Sequence, residues 1–126
     1  MRILYAGDAC TKIGPVYMAS PFNLEVKGMS HHIWGMPLIQ ALTERGHEVE
    51  HMTCEQAIAD FPRTVEDLQK YDALIISDCE CEVLSLYPFW VEGVPQPTTN
   101  RLKAIRDYVK AGGSLLMIGG WTSFSG

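Results

Sequence analysis

Three short apolar segments punctuate this chain, RILYA before Gly7-Asp8, DALIIS before Asp78 and SLLMI before Gly119-Gly120, and HEVEHM is a further strand candidate. Continuous apolar runs of this length suit strands buried on both faces, as in parallel sheets. The stretches between them follow helical spacing. In residues 35–45, Pro37 suits a first turn, Leu38, Ile39, Ala41 and Leu42 make an apolar face, and Gly46 stands where a left-handed cap is expected. Thr53 opens TCEQAI, a capping-box pattern bounded by Pro62, and Thr64 opens a further turn of helix. Leu102, Ile105 and Val109 carry helical spacing through residues 100–110, which Gly112-Gly113 ends. Strands separated by helices imply right-handed crossovers, so the spacing predicts a doubly wound α/β domain with a parallel sheet. Residues 9–34 interrupt this pattern with Gly14-Pro15, Ser20-Pro21 and few periodic signals, and read as an irregular excursion.

With 126 residues the chain holds one domain at most, and 47% apolar against 20% charged residues is ordinary globular composition. The formal charge is −5 and the ten Lys and Arg are scattered, which excludes the basic footprint of a nucleic-acid binder. MRILYAGD is too short for a signal h-region and no later run approaches a membrane span, so a cytoplasmic protein is expected. Cys10, Cys54, Cys79 and Cys81 read as reduced thiols.

Ligands of open α/β sheets bind beyond the carboxyl ends of the strands. That rule points to Asp8, Asp78 and the turn that holds Gly119, Gly120, Trp121 and Ser123. The glycines would let backbone N–H groups approach an oxygen-rich ligand, with Trp121 as an apolar wall and Ser123 as a hydrogen-bonding group. Such glycines also simply permit a turn, and neither a GxSxG elbow nor a phosphate-loop GK[ST] is present. Asp8 and Asp78 close two strands expected to be neighbours, where acids bind cations or share a proton but also cap turns. Their charge favours a neutral, cationic or metal-bridged ligand over an anionic one. Cys79 and Cys81 lack the CxxC spacing and the second ligand pair of a zinc site, and His31-His32 read as solvent-facing loop residues. No metal or other cofactor is expected.

RILYAGD, ALTERGHEVEHM, FPRTVEDLQKYDALIISD and TTNRLKAIRDYVKAGGSLLMIGGWTSFSG together resemble the N-terminal half of the glutamine amidotransferase-like family, a branch of the class I glutamine amidotransferase superfamily. The likeness covers nearly the whole chain and is most specific in RDYVKAGGSLLMIGG. It implies a flavodoxin-like sheet whose last strand leads into the turn where true glutaminases carry a cysteine nucleophile in a GxCxG pattern. This chain has no cysteine in residues 119–126, and Trp121 stands in that neighbourhood, so glutaminase activity is not expected. Family members continue well beyond this point. The resemblance therefore implies that residues 1–126 are a single, partial domain, incomplete at the C-terminal side, with sheet surface left for another chain to cover. Self-association into a homo-oligomer is expected. The leading expectation is an amidotransferase-like domain that binds a small molecule or partner at the carboxyl edge. Two rivals remain: a hydrolase using Ser123 with groups from a missing C-terminal half or another subunit, and a phosphoacceptor domain acting through Asp78. Against the second, Gly7-Asp8 gives one acid where receiver domains present a pair, and the excursion after it is long.

Overall fold

The computed structural model describes residues 1–13, 16–20, 23–26, 28–79, 83–84 and 100–119. The opening apolar run forms β1 (Arg2–Gly7), buried from its second residue onward. Residues 9–33 hold four short strands, β2 (Ala9–Ile13), β3 (Val16–Ser20), β4 (Asn23–Val26) and β5 (Met29–Ile33). Antiparallel pairing joins β2 to β5 and β3 to β4, so two ribbons replace the irregular excursion read from the sequence. Gly14-Pro15 and Ser20-Pro21 break this stretch into pieces of four or five residues, and these turn signals conceal the strands between them.

From α1 (Met36–Glu44) onward the order follows the sequence pattern: β6 (Glu48–Met52), α2 (Cys54–Asp60), α3 (Val65–Leu68), β7 (Ala73–Ser77), α4 (Arg101–Lys110) and β8 (Ser114–Ile118). Pro37 lies in the first turn of α1, and Gly46 follows its end at φ +82°. The Thr53 hydroxyl accepts from the Gln56 amide while the Gln56 side chain accepts from the Thr53 amide, which completes the capping box of α2. Thr64 and Asn100 cap α3 and α4 in the same way, through their side-chain oxygens.

The main sheet runs β6-β1-β7-β8, all parallel. Leu4, Ala6, Leu74 and Ile76 face one side, where Ala57, Phe61, Leu68, Ile105 and Tyr108 of the α2–α4 segment cover them. Ile3, Tyr5 and Ile75 face the other, against Leu38, Ile39 and Leu42 of α1. Leu4 and Leu74 are each 1% exposed, and burial on this scale contributes about 1.5–3 kcal/mol per large aliphatic side chain. Helices on both faces of a parallel sheet are the doubly wound architecture, here with four strands among the described residues.

Candidate functional site at the carboxyl edge of the sheet

The strand order reverses at β1. From β1 the chain crosses by way of α1 to β6 on one side; from β6 it returns past β1 to β7 on the other, with α2 and α3 on the opposite face. Right-handed crossovers in opposite directions require helices on opposite faces, so beyond the paired ends of β1 and β7 the connections leave toward opposite sides, the switch point at which open α/β sheets offer a crevice to ligands. Asp8 and Asp78 stand at those two ends, one residue beyond the paired Gly7 and Ser77.

Both aspartates have left-handed backbones, Asp8 at φ +50° and Asp78 at φ +45°, and they are the only non-glycine residues with positive φ among the described residues. Aspartate tolerates this conformation better than most side chains, but it still costs free energy, and such positions concentrate at functional sites. Asp8 is held from several sides. Its amide donates to the Ser77 carbonyl at 3.0 Å, and its own carbonyl accepts from the amides of Trp34 at 2.7 Å and Gly35 at 3.3 Å. Its carboxylate accepts from the Tyr5 hydroxyl. Tyr5 is 1% exposed, and burial first, then the hydrogen bond to Asp8, drives its pKa well above the ordinary tyrosine value. The phenol therefore stays a donor, fixing one carboxylate oxygen.

Gly7 makes this junction possible. It sits at φ +105°, and a Cβ there would run into the Ser77 carbonyl oxygen. Gly35 is confined by contact instead: a Cβ there would lie 2.6 Å from the Tyr5 hydroxyl oxygen. His51, the register partner of Tyr5 on β6, places Nε2 at 2.7 Å from the Gly7 carbonyl oxygen and packs edge-on to the Tyr5 ring at 5.3 Å. A carbonyl only accepts, so Nε2 carries the proton in this bond. On the other side of the crevice the Cys54 thiol lies 3.9 Å from the Asp78 carbonyl oxygen, and the neighbouring Cys79 is buried.

Gly119 follows β8 and is exposed at the same edge, next to the end of β7. Gly120, Trp121 and Ser123 lie outside the described residues, as does Cys81. The structure thus brings three of the six residues expected from the sequence, Asp8, Asp78 and Gly119, to the carboxyl ends of adjacent strands. Cys54 is partly buried and Cys79 buried. Among the described residues no three His, Cys, Asp or Glu side chains gather closely enough to hold a metal ion. A cavity of about 410 Å³ flanks the crevice on the β6 side, lined by Ala9, His31, His32, Ile33, Thr53 and Glu55 among others. His31 and His32 are exposed, as read, but they belong to β5 and form a wall of this cavity rather than a loop. Tyr5, His51 and Gly35 were not singled out from sequence. Tyr5 sits inside an apolar run and its partner is an acid three residues on, just past the end of β1, a spacing that signals nothing by itself.

Residues 12–126 match the family model described as "Putative glutamine amidotransferase". The chain belongs to the glutamine amidotransferase-like family. Two solved structures share the fold of this family member. One is described as "Cytoplasmic Protein STM3548 from Salmonella typhimurium", with a TM-score of 0.80 at 24% identity, covering 96% of this chain and 48% of that one. The other, "Cytoplasmic Protein STM1381 from Salmonella typhimurium LT2", has a TM-score of 0.76 at 28% identity with the same coverage. The chain therefore spans about half the length of these solved relatives. No curated protein matches it. No helix among the described residues is long and apolar enough to cross a membrane.

Proposed function

We propose that this member of the glutamine amidotransferase-like family is a cytoplasmic ligand-binding domain that takes a small neutral or cationic polar molecule at the carboxyl edge of its sheet and does not hydrolyse glutamine. The observation that carries the proposal is the pair of aspartates in left-handed conformation on either side of the switch-point crevice. Energy is stored in the backbone at two adjacent strand ends, and at one of them the carboxylate is oriented by a buried phenol. Two carboxylates at one crevice favour groups that donate hydrogen bonds or carry positive charge, and repel anions. Gly119 at the neighbouring strand end adds a backbone position that a ligand could approach closely.

The same edge supports binding without glutaminase chemistry. Residues 119–126, which follow β8, contain no cysteine, and Cys54 and Cys79 belong to other segments of the chain. Cys54 sits at the start of α2 and Cys79 is buried beyond β7, so neither stands where β8 delivers the chain. Removing a nucleophile that acts as a unit with its partners costs several orders of magnitude in rate.

The test is a thermal-shift screen of small amides and amines, followed by calorimetry on the best binder with wild type and an Asp8→Asn/Asp78→Asn variant. Affinity is expected to fall about tenfold or more in the variant, the scale of a lost charge-assisted hydrogen bond. In parallel, incubation with L-glutamine is expected to release no ammonia above the blank. Full affinity in the double variant contradicts the binding site; ammonia release abolished by alkylating the cysteines contradicts the inactivity.

A further inference from the structure

The cavity beside the crevice is larger than a polar head group needs. At about 410 Å³ it falls in the range of hollows that enclose whole small molecules. Ala9, the residue after Asp8, lines it, and so does Thr53, which follows Met52, the register partner of Ala6. It therefore lies at the carboxyl ends of β1 and β6. Its other wall is the β2–β5 ribbon, in which Ala9 pairs with Ile33. Asp8 pins the base of that ribbon, because Ala9 follows it in the chain and its carbonyl accepts from the amide of Trp34, the neighbour of Ile33, at 2.7 Å. One residue thus fixes the cavity wall and also presents a carboxylate to the crevice. The wall is apolar and aromatic. Ile33 lines the hollow yet is 38% exposed, and Trp34 beside it in sequence is 54% exposed, apolar surface of the kind that marks a binding groove. His31 and His32 add flat imidazole rings, that of His32 held through Nε2 by the Ser30 hydroxyl at 3.0 Å. Among the described residues that line the hollow there is no lysine or arginine, and Glu55 is the one acid.

We propose that this cavity is the second half of the ligand site and takes the aromatic ring of a primary amine whose ammonium group binds at Asp8 and Asp78. The proposal rests on the carboxyl edge being the ligand site, and it narrows the occupant from a polar molecule to an arylalkylamine. The two aspartates supply charge-assisted acceptors for a cationic head. They offer no surface for an apolar body. Ala9 and Ile33 supply that surface, and the imidazoles favour a ring over an alkyl chain, because aromatic rings pack well edge-on or offset against one another. A short alkyl linker joins the two parts across Ala9. Charge decides against the acidic counterpart of such a ligand: a carboxylate in place of the ammonium would meet Asp8, Asp78 and Glu55 with no lysine or arginine on the cavity wall to offset them. The charge requirement then lies in the sheet, and the choice of body in the ribbon.

Calorimetric titration with phenethylamine, propylamine and hydrocinnamate tests the proposal on wild type, Ile33→Ser and Asp8→Asn/Asp78→Asn. Ile33 is exposed and outside the main sheet, so its replacement leaves the core intact, which far-UV circular dichroism checks. Wild type is expected to bind phenethylamine about tenfold tighter than propylamine or more, the scale of burying a ring. Hydrocinnamate, with the same ring and the opposite charge, is expected not to bind. Ile33→Ser is expected to remove most of the advantage of the ring while leaving the affinity for propylamine unchanged, and Asp8→Asn/Asp78→Asn to weaken both amines. Amide chemical shifts of wild type need no variant: phenethylamine is expected to move His32, Ile33 and Thr53 through its ring current, and propylamine to leave them in place. Equal affinities for the two amines, both lost in Asp8→Asn/Asp78→Asn, overturn the cavity and spare the crevice. An advantage of the ring that survives Ile33→Ser, amides of His32, Ile33 and Thr53 that do not respond to phenethylamine, or hydrocinnamate binding as tightly as phenethylamine also overturn it. Amine binding that ignores Asp8→Asn/Asp78→Asn overturns the carboxyl-edge reading and this proposal with it.

Discussion

Asp8 is the residue at which most of the carboxyl edge is fixed. Its amide extends the β1–β7 pairing by one bond, its carbonyl anchors the turn into α1, and its side chain accepts the hydrogen bond of the buried Tyr5 hydroxyl. The whole arrangement depends on Gly7, because any Cβ at φ +105° is strained and this one would also overlap the Ser77 carbonyl. Gly7→Ala is therefore expected to destabilise the domain by about 3 kcal/mol or more, combining the positive-φ cost with overpacking. Urea denaturation reads this directly, and a midpoint unchanged from wild type would contradict it. Tyrosines give the fold a characteristic alkaline limit. Burial, and then its hydrogen bond to Glu50, push the Tyr71 phenol up to about 12, and Tyr5 is raised more strongly. An unfolded tyrosine titrates near 10. Between these values the folded state holds protons that the unfolded state has lost, so stability is full below about pH 10 and falls as pH rises toward 12. Tyr71→Phe is expected to make the decline of the urea midpoint between pH 10 and 12 shallower; an unchanged slope would show that Tyr71 does not contribute.

At the scale of elements, the sequence pattern and the structure agree where the signal is local. The Thr53–Gln56 box, the Pro37 start of α1 and the Asn100 cap of α4 are written within three or four residues of the positions they control. The two central strands, β1 and β7, are equally legible, since being buried on both faces forces continuous apolar runs. The ribbons of residues 9–33 were not legible, because the turn signals of Gly14-Pro15 and Ser20-Pro21 dominate their four- and five-residue strands. In the site, Asp8, Asp78 and Gly119 follow from the strand-end rule, whereas the Tyr5 hydroxyl bond and the His51 contact depend on side-chain packing that the order of residues does not encode. Arg101 is another long-range feature: 1% exposed in the first turn of α4, it donates to the carbonyls of Ala57 at 3.2 Å and Ala59 at 3.5 Å. A cation there satisfies the carboxyl end of α2, which has no basic residue in its own last turn. Arg101→Met keeps much of the length and removes the donors, and it is expected to cost about 2–3 kcal/mol in urea denaturation. A loss below about 0.5 kcal/mol, typical of surface substitutions, would contradict a linking role for this side chain.

For the whole molecule, the sheet separates two kinds of surface. Its carboxyl ends carry acids, strained backbones and a crevice created by the reversal of strand order, whereas its β8 flank carries apolar side chains and no charge. The amino-terminal end of the sheet also offers a hollow, of about 250 Å³, lined by Gln69, Tyr71, Asp72, Tyr108 and Gly112 among others. This makes the location of a ligand a sharp discriminator, because the two hollows lie at opposite ends of the strands. The decisive measurement is an amide chemical-shift titration of the isotopically labelled chain with the tightest binder from the screen of small amides and amines. Binding at the switch point shifts the amides of Gly7, Asp8, Asp78 and Gly119 in a saturable way and leaves those of Gln69, Asp72 and Gly112 in place. Shifts confined to Gln69, Asp72 and Gly112 would contradict a functional site at the carboxyl edge.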